Sequence, residues 1–170
     1  MATSSAPAAG HRATWTLTTR RLLLRPVRTG DVPAVTRLWT DPTVRHHLGG
    51  PVADHVVRIR QRRIVGAPGV HAVVRESDRA LLGLVTLEWG ARDGETEISY
   101  QFLPEHWGHG YAREAVAAAV ERALEGTPSV VAVTQDANDR SRRLLEGIGM
   151  THAVSFEEFD AHQVLYRKRA

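Results

Sequence analysis

EISYQFLPEHWGHGYARE, residues 97–114, carries a run of strand-forming residues through Gly108-His109-Gly110 straight into an Ala-rich helical pattern. Over residues 111–124 the residues Ala112, Ala115, Val116, Ala119, Val120 and Ala123 recur on one stripe, with Arg113, Glu114, Glu121 and Arg122 largely off it. A strand, a glycine turn and a helix start together make an anion site. The first backbone N–H groups of a helix have no intrahelical acceptor, and the helix dipole adds partial positive charge there. Phosphate is the expected guest. A dinucleotide-binding fingerprint needs a further glycine where Arg113 stands, and a P-loop needs Gly-Lys-Ser/Thr, which the chain lacks. The glycine pair also suits a plain strand-to-helix connection, and on the motif alone both readings stand.

Working outward, RRLLLRPV (residues 20–27) reads as a strand. It is followed by a helix with Val32, Val35, Leu38 and Trp39 on one face, Thr29 or Asp31 as its cap and Pro33 in the first turn. After Gly49-Gly50-Pro51, the residues Ala53, Val56, Val57 and Ile64 mark a second helix whose other face is rich in arginine. Three apolar segments, 70–74, 81–89 and 95–103, are separated by polar turns and read as an antiparallel meander. Beyond the Ala-rich helix come a strand at 129–134, a helix at 139–147 and strands at 150–157 and 163–167. The order β, α, α, βββ, α, β, α, ββ mixes a meander with one parallel crossover, which is an α+β and not a doubly wound pattern.

The 170 residues are 42% apolar and 24% charged, as expected of one globular domain with a full core. Residues 1–15, rich in Ala, Ser, Pro and Gly, read as a disordered tail before a single domain at 16–170. They lack the apolar run of a signal peptide, so a cytoplasmic location is expected. The longest apolar runs, residues 80–85 and 115–120, are far too short to span a membrane. With no cysteine, disulfides, thiolate metal sites and a Cys nucleophile are excluded. The net charge is only +3 and the basic clusters carry no interleaved aromatic residues, which argues against nucleic acid as partner. His106 and His109 lie in a turn without a third clustered ligand, and His46-His47 precedes a glycine turn, so no metal site is expected.

Four blocks, in order, resemble the GCN5-related N-acetyltransferase (GNAT) family, and within it the ribosomal-protein N-terminal acetyltransferase type. They are TTRRLLLRPVRTGDVPAV (18–35), LLGLVTL (81–87), EISYQFLPEHWGHGYAREA (97–115) and NDRSRRLLEGIGM (138–150). The resemblance implies a mixed, mostly antiparallel sheet of about six or seven strands flanked by about four helices, with a cofactor cleft where the fourth strand splays from the fifth. It implies acetyl-CoA as co-substrate, its pyrophosphate on the backbone amides of Gly108, His109, Gly110, Tyr111, Ala112 and Arg113. Pantetheine would lie beside Gln101, Phe102 and Leu103, pairing like a strand. Asn138 matches a pantetheine-binding position and is equally a good helix N-cap. Trp107 stands where Gln or Arg is common, and Leu145 stands where the family's usual acid, a Tyr, is found, so another group must protonate the departing thiolate.

The resemblance further implies an amine acceptor, a protein N-terminal α-amine or a small-molecule amine, and direct attack in a ternary complex. The alternative is a non-catalytic acyl-CoA-binding module on the same fold, and homodimers are common in the family. An ammonium has no lone pair, so transfer needs a base. Glu97 occupies the position of the family's glutamate base, with Glu88 in reserve; a polar residue on a meander strand is also commonly solvent-facing or ion-paired. Ser141 matches a serine near the cofactor sulfur, and in a first helical turn it is also a capping residue. A backbone N–H near Leu103 is the expected oxyanion donor. Arg58 to Arg63 is either an acceptor-facing surface or a solvated helix face.

Overall fold

The computed structural model describes residues 14–170. An eight-stranded sheet runs β1 (Leu17–Thr18), β2 (Leu22–Pro26), β3 (Val70–Arg75), β4 (Leu81–Arg92), β5 (Glu95–Phe102), β6 (Ser129–Gln135), β8 (Ala161–Arg169), β7 (Thr151–Glu158) in spatial order. Only β5 and β6 are parallel, joined through the crossover helix α3 (Tyr111–Leu124). The α+β reading holds, with one strand more than expected. That strand, β1, is two residues long and exists only through its pairing with Leu23 and Leu24 of β2. Two residues carry no periodicity, so nothing local marks them.

Helices α1 (Val32–Thr40) and α2 (Asp54–Arg63) cover one sheet face, where Val35, Leu38, Trp39 and Val57 pack on Ala72, Leu84 and Leu103. Helix α3 and α4 (Asp139–Gly147) cover the other, where the Ala115, Val116, Ala119 stripe and Leu145 meet Leu22, Val73, Ile98 and Phe102. The polar turn Asp93-Gly94 joins β4 to β5 with both residues at positive φ, as a tight hairpin requires.

Two local expectations are corrected. Asp31 does not cap α1 through its side chain. Its carboxylate takes both Nη atoms of Arg25, at 2.7 and 3.0 Å, and the Arg28 N–H at 2.7 Å, closing the 3₁₀ turn that precedes the helix. Thr14 and Trp15, expected to lie in a disordered tail over residues 1–15, are packed on the domain. Thr14 donates to the Ala67 carbonyl, Trp15 N–H donates to His71 Nε2, and the Trp15 ring stacks on His71 at 3.9 Å; residues 1–13 lie outside the described residues. His71 is fully buried, and burial drives its pKa down to about 4, so it sits in the sheet as a neutral ring.

The seam between β5 and β6 positions everything that follows. Its register holds only at Thr96↔Val130 and Glu97↔Val131, after which the strands part. Below the seam, Glu95 takes Ser129 Oγ at 2.6 Å and the Arg167 guanidinium at 2.6 and 2.8 Å, a polar clasp between the two halves of the sheet.

Candidate active site

Where β5 leaves β6, every second residue of β5 turns its backbone toward the gap. The β4–β5 ladder pairs Leu84 with Gln101 and Val85 with Tyr100, and the Leu103 N–H donates to the Leu82 carbonyl at 2.9 Å. In an antiparallel ladder hydrogen-bonded and non-bonded pairs alternate. Gln101 therefore gives its backbone groups to β4, as does the Leu103 N–H, while the Leu103 carbonyl accepts from the His106 N–H and the backbone groups of Tyr100 and Phe102 face the opening. This corrects two expectations. Gln101 and Leu103 offer no backbone pairing into the cleft, and the Leu103 N–H is already used; Tyr100 and the Phe102 N–H supply the free groups. The Phe102 carbonyl is in turn taken by Trp107 Nε1 at 2.8 Å, so the Trp at the departing motif position closes the end of the split. Arg140 stacks over the Trp107 ring at 4.1 Å.

Past a short 3₁₀ turn, Pro104–His106, the chain enters the glycine turn, with Gly108 at φ 81° and Gly110 at φ 77°. That left-handed conformation suits glycine. Gly110 is the N-cap of α3 and offers no side chain, and a Cβ at Gly108 would meet nothing within 4 Å. The N–H groups of Gly108, His109, Gly110, Tyr111, Ala112 and Arg113 find no acceptor among the described residues. The side chains there are engaged elsewhere. Arg113 donates to the Gly147 carbonyl at 2.8 Å, and the Tyr111 ring lies under Arg21 at 4.4 Å. The first-turn acid Glu114 is bound by Thr19 Oγ1, Arg21 N–H and Arg21 Nε at 2.7 to 2.8 Å. What faces the opening is bare backbone donors, which fits a pyrophosphate.

Helix α4 begins differently. Asn138 is its N-cap, its Oδ1 accepting from the Ser141 N–H at 3.2 Å, so the capping reading of Asn138 is realised while its Nδ2 makes no bond among the described residues. Ser141 Oγ lies 2.6 Å from Tyr100 Oη. Burial pushes the Tyr100 pKa up to about 12, against the opposing effect of its bond to Ser141, so the phenol stays protonated. Leu145 is fully buried in the core and has no part in the site. The sequence singles out Ser141 and not the Tyr100 hydroxyl that meets it, a polar tip on an otherwise core-facing position of β5; a tyrosine two residues before Phe102 on the same face is the one signal that points to it.

Glu97 lies on the opposite face of β5. Its Oε2 accepts from Arg92 Nε at 3.1 Å, and Arg92 Nη2 reaches Glu158 at 3.4 Å. Glu97 Oε1 has no partner among the described residues. Glu88, directly across the strand pair, is exposed and does not line the groove. Glu97, Tyr100, the glycine turn, Asn138 and Ser141 all line one groove of about 1550 Å³, which also takes in His47 and Arg60 from the α1–α2 side. His47 Nδ1 shares a hydrogen bond with Gln135 Oε1 at 3.1 Å, tying the loop after α1 to β6. Of the arginines from 58 to 63, only Arg60 lines the groove; Arg58, Arg62 and Arg63 are exposed.

Residues 21–151 match the family model described as "Acetyltransferase (GNAT) domain". Among curated relatives, the FsC-acetyl coenzyme A-N(2)-transacetylase of Aspergillus fumigatus is 36% identical over 67 residues, 38% of this chain and 28% of that protein, so the matched part spans under a third of that relative. Among solved structures, a GNAT-family acetyltransferase from Bacillus anthracis superposes with a TM-score of 0.82 at 22% identity, covering 91% of this chain and 98% of that one. A spermidine N-acetyltransferase from Vibrio cholerae, solved with CoA and spermine, superposes at 0.76 with 19% identity, covering 89% and 96%. At these identities the structural likenesses establish the fold.

Proposed function

Since the chain belongs to the GNAT acetyltransferase family, we propose that it is an acetyl-CoA-dependent N-acetyltransferase acting on a primary amine by direct attack in a ternary complex. The observation that carries this reading is the bare start of α3: six unmet N–H groups beside a split strand pair whose open edge bears further unpaired backbone groups. The motif blocks make a protein N-terminal α-amine the leading acceptor.

Acetyl-CoA, as substrate, supplies an activated acyl carbon and a thiol leaving group. The amides from Gly108 to Arg113 hold its pyrophosphate, and the open edge of Tyr100 and Phe102 orients its pantetheine, with the Asn138 amide as an added donor. Glu97 removes the proton from the acceptor ammonium at Oε1, the oxygen Arg92 leaves free, directly or through a water; Arg92 fixes the carboxylate's orientation. A free backbone N–H of β5 donates to the acyl oxygen, which the engaged Leu103 N–H cannot do. Tyr100, held protonated, donates to Ser141 Oγ, which turns the serine proton toward the departing sulfur. This chain of two hydroxyls stands in for the tyrosine that Leu145 replaces.

One observation favours the non-catalytic module instead: Glu97 is already ion-paired. Titration with acetyl-CoA, CoA and NAD, followed by turnover of Glu97→Gln, separates the readings. Micromolar acetyl-CoA binding that persists in the variant while thiol release on an amine panel drops by about 100-fold supports the enzyme. Binding without turnover by wild type on any amine supports the module, and silence toward acetyl-CoA overturns both.

A further inference from the structure

The groove changes sign along its length. At Glu97 the cluster Glu97, Arg92, Glu158 carries one net negative charge, suited to an ammonium. At the end walled by α2 and the loop after α1, Arg45 and Arg60 line the groove with no acid among its lining residues there. The arginine inventory makes this end distinctive. Among the described residues, nine arginines are not fully exposed. Seven of them, Arg21, Arg25, Arg75, Arg92, Arg122, Arg142 and Arg167, sit in ion pairs. The two without a carboxylate are Arg45 and Arg60, and both face the groove.

Their geometry is that of held donors. Arg45 Nε donates to the Gly50 carbonyl at 2.9 Å and its Nη2 to the Leu48 carbonyl, which fixes the guanidinium, while Nη1 has no partner among the described residues. The Arg60 guanidinium lies over the Trp39 ring at 5.6 Å and makes no hydrogen bond among the described residues. Burial and then the neighbouring Arg60 charge lower the Arg45 pKa. Part-buried guanidinium groups without an anion bear a desolvation cost that a bound oxyanion would repay, and the planar fork matches carboxylate and phosphate.

We infer that Arg45 and Arg60 form a subsite for an oxyanion of the acceptor, so that the preferred substrate is a primary amine bearing a distal carboxylate or phosphate, its ammonium at Glu97 and its anion at the arginine pair. The inference rests on the acetyltransferase reading. It sets this groove apart from one built for a polyamine, whose second cation would meet two arginines.

The test is kcat/KM of wild type and Arg60→Glu for 6-aminohexanoate, 2-aminoethyl phosphate, hexylamine, spermidine, and the peptide amides Ala-Glu-Ala and Ala-Lys-Ala, with CoA titrated into both proteins. Wild type is expected to prefer the anionic member of each pair at least tenfold. In Arg60→Glu the anionic-to-neutral ratio falls at least tenfold through KM, and CoA affinity holds, which also reports a folded variant. A rank order of 6-aminohexanoate against 2-aminoethyl phosphate separates carboxylate from phosphate. Spermidine or hexylamine equal to or better than the anionic amines in wild type overturns the subsite. So does an equal loss for every acceptor, or a loss of CoA affinity, which would assign Arg60 to the cofactor. Absence of turnover with every amine instead overturns the acetyltransferase reading beneath it.

Discussion

Helices α3 and α4 both begin at the groove, and they begin in opposite ways. Helix α3 starts at Gly110 with no side-chain cap, and its first acid, Glu114, turns away to the β1–β2 connection. Helix α4 starts at Asn138 with its cap bond made to the Ser141 N–H. An uncapped start gives up about 1 kcal/mol of local stability, yet keeps its donors for a ligand. A capped start presents side chains, here the Asn138 amide and the Ser141 hydroxyl. One helix end thus offers charge-like backbone donors, the other placed side-chain groups.

The sharpest way to break this contrast is Gly108→Asp. Aspartate tolerates a positive φ, so the turn survives while a carboxylate enters the donor field. CoA affinity measured by calorimetry is expected to fall about 100-fold, on the order of 3 kcal/mol, whereas Gly108→Asn costs only a few-fold. Next, Glu114→Ala removes the acceptor for three donors from the β1–β2 connection and should cost about 2 kcal/mol in urea unfolding. Burial alone would raise the Glu114 pKa, but the bonds from Thr19 and Arg21 outweigh it and hold it below 4.5. A carboxylate depressed in the folded state stabilises above its ordinary pKa and loses that contribution as pH falls through the folded value, so the wild-type advantage over the variant should vanish on acidification below pH 4.5. Asn138→Ala has the smallest effect on stability, about 1 kcal/mol, and Asn138→Asp restores it. Because aspartate keeps the cap oxygen and lacks the amide donor, weak CoA binding by Asn138→Asp would assign the amide to the cofactor; unchanged binding would leave Asn138 a cap alone.

The same contrast explains what is legible in the sequence. The helices, the meander and the glycine turn are local: stripe periodicity, β-branched runs and turn residues each announce themselves within a few positions. The direction of a β5 backbone group is not local, because it depends on the parity of the register with β4. The motif therefore points Gln101, Phe102 and Leu103 at the cleft, whereas the assembled sheet turns only Phe102 of these there, together with Tyr100. Partners across distant elements, Arg92 with Glu158 or Tyr100 with Ser141, are likewise products of the assembled sheet. Arg60 and not Arg62 or Arg63 lines the groove because the facing of α2 is set by Val57 in the core, the one buried residue of that helix.

The two-rung seam between β5 and β6 has a consequence for local unfolding. Residues 129–169 join the rest of the sheet through Thr96↔Val130, Glu97↔Val131, the Glu95 clasp and the Arg92–Glu158 pair, whereas β6 and β8 share seven consecutive rungs. One buried core spans both sides of the seam, so the thin backbone pairing is expected to appear in amide hydrogen exchange as faster exchange at the rungs flanking the split than along β6 and β8. A ligand lying in the split and bonding to both sides would couple their opening, so its binding would slow exchange on both sides of the seam together.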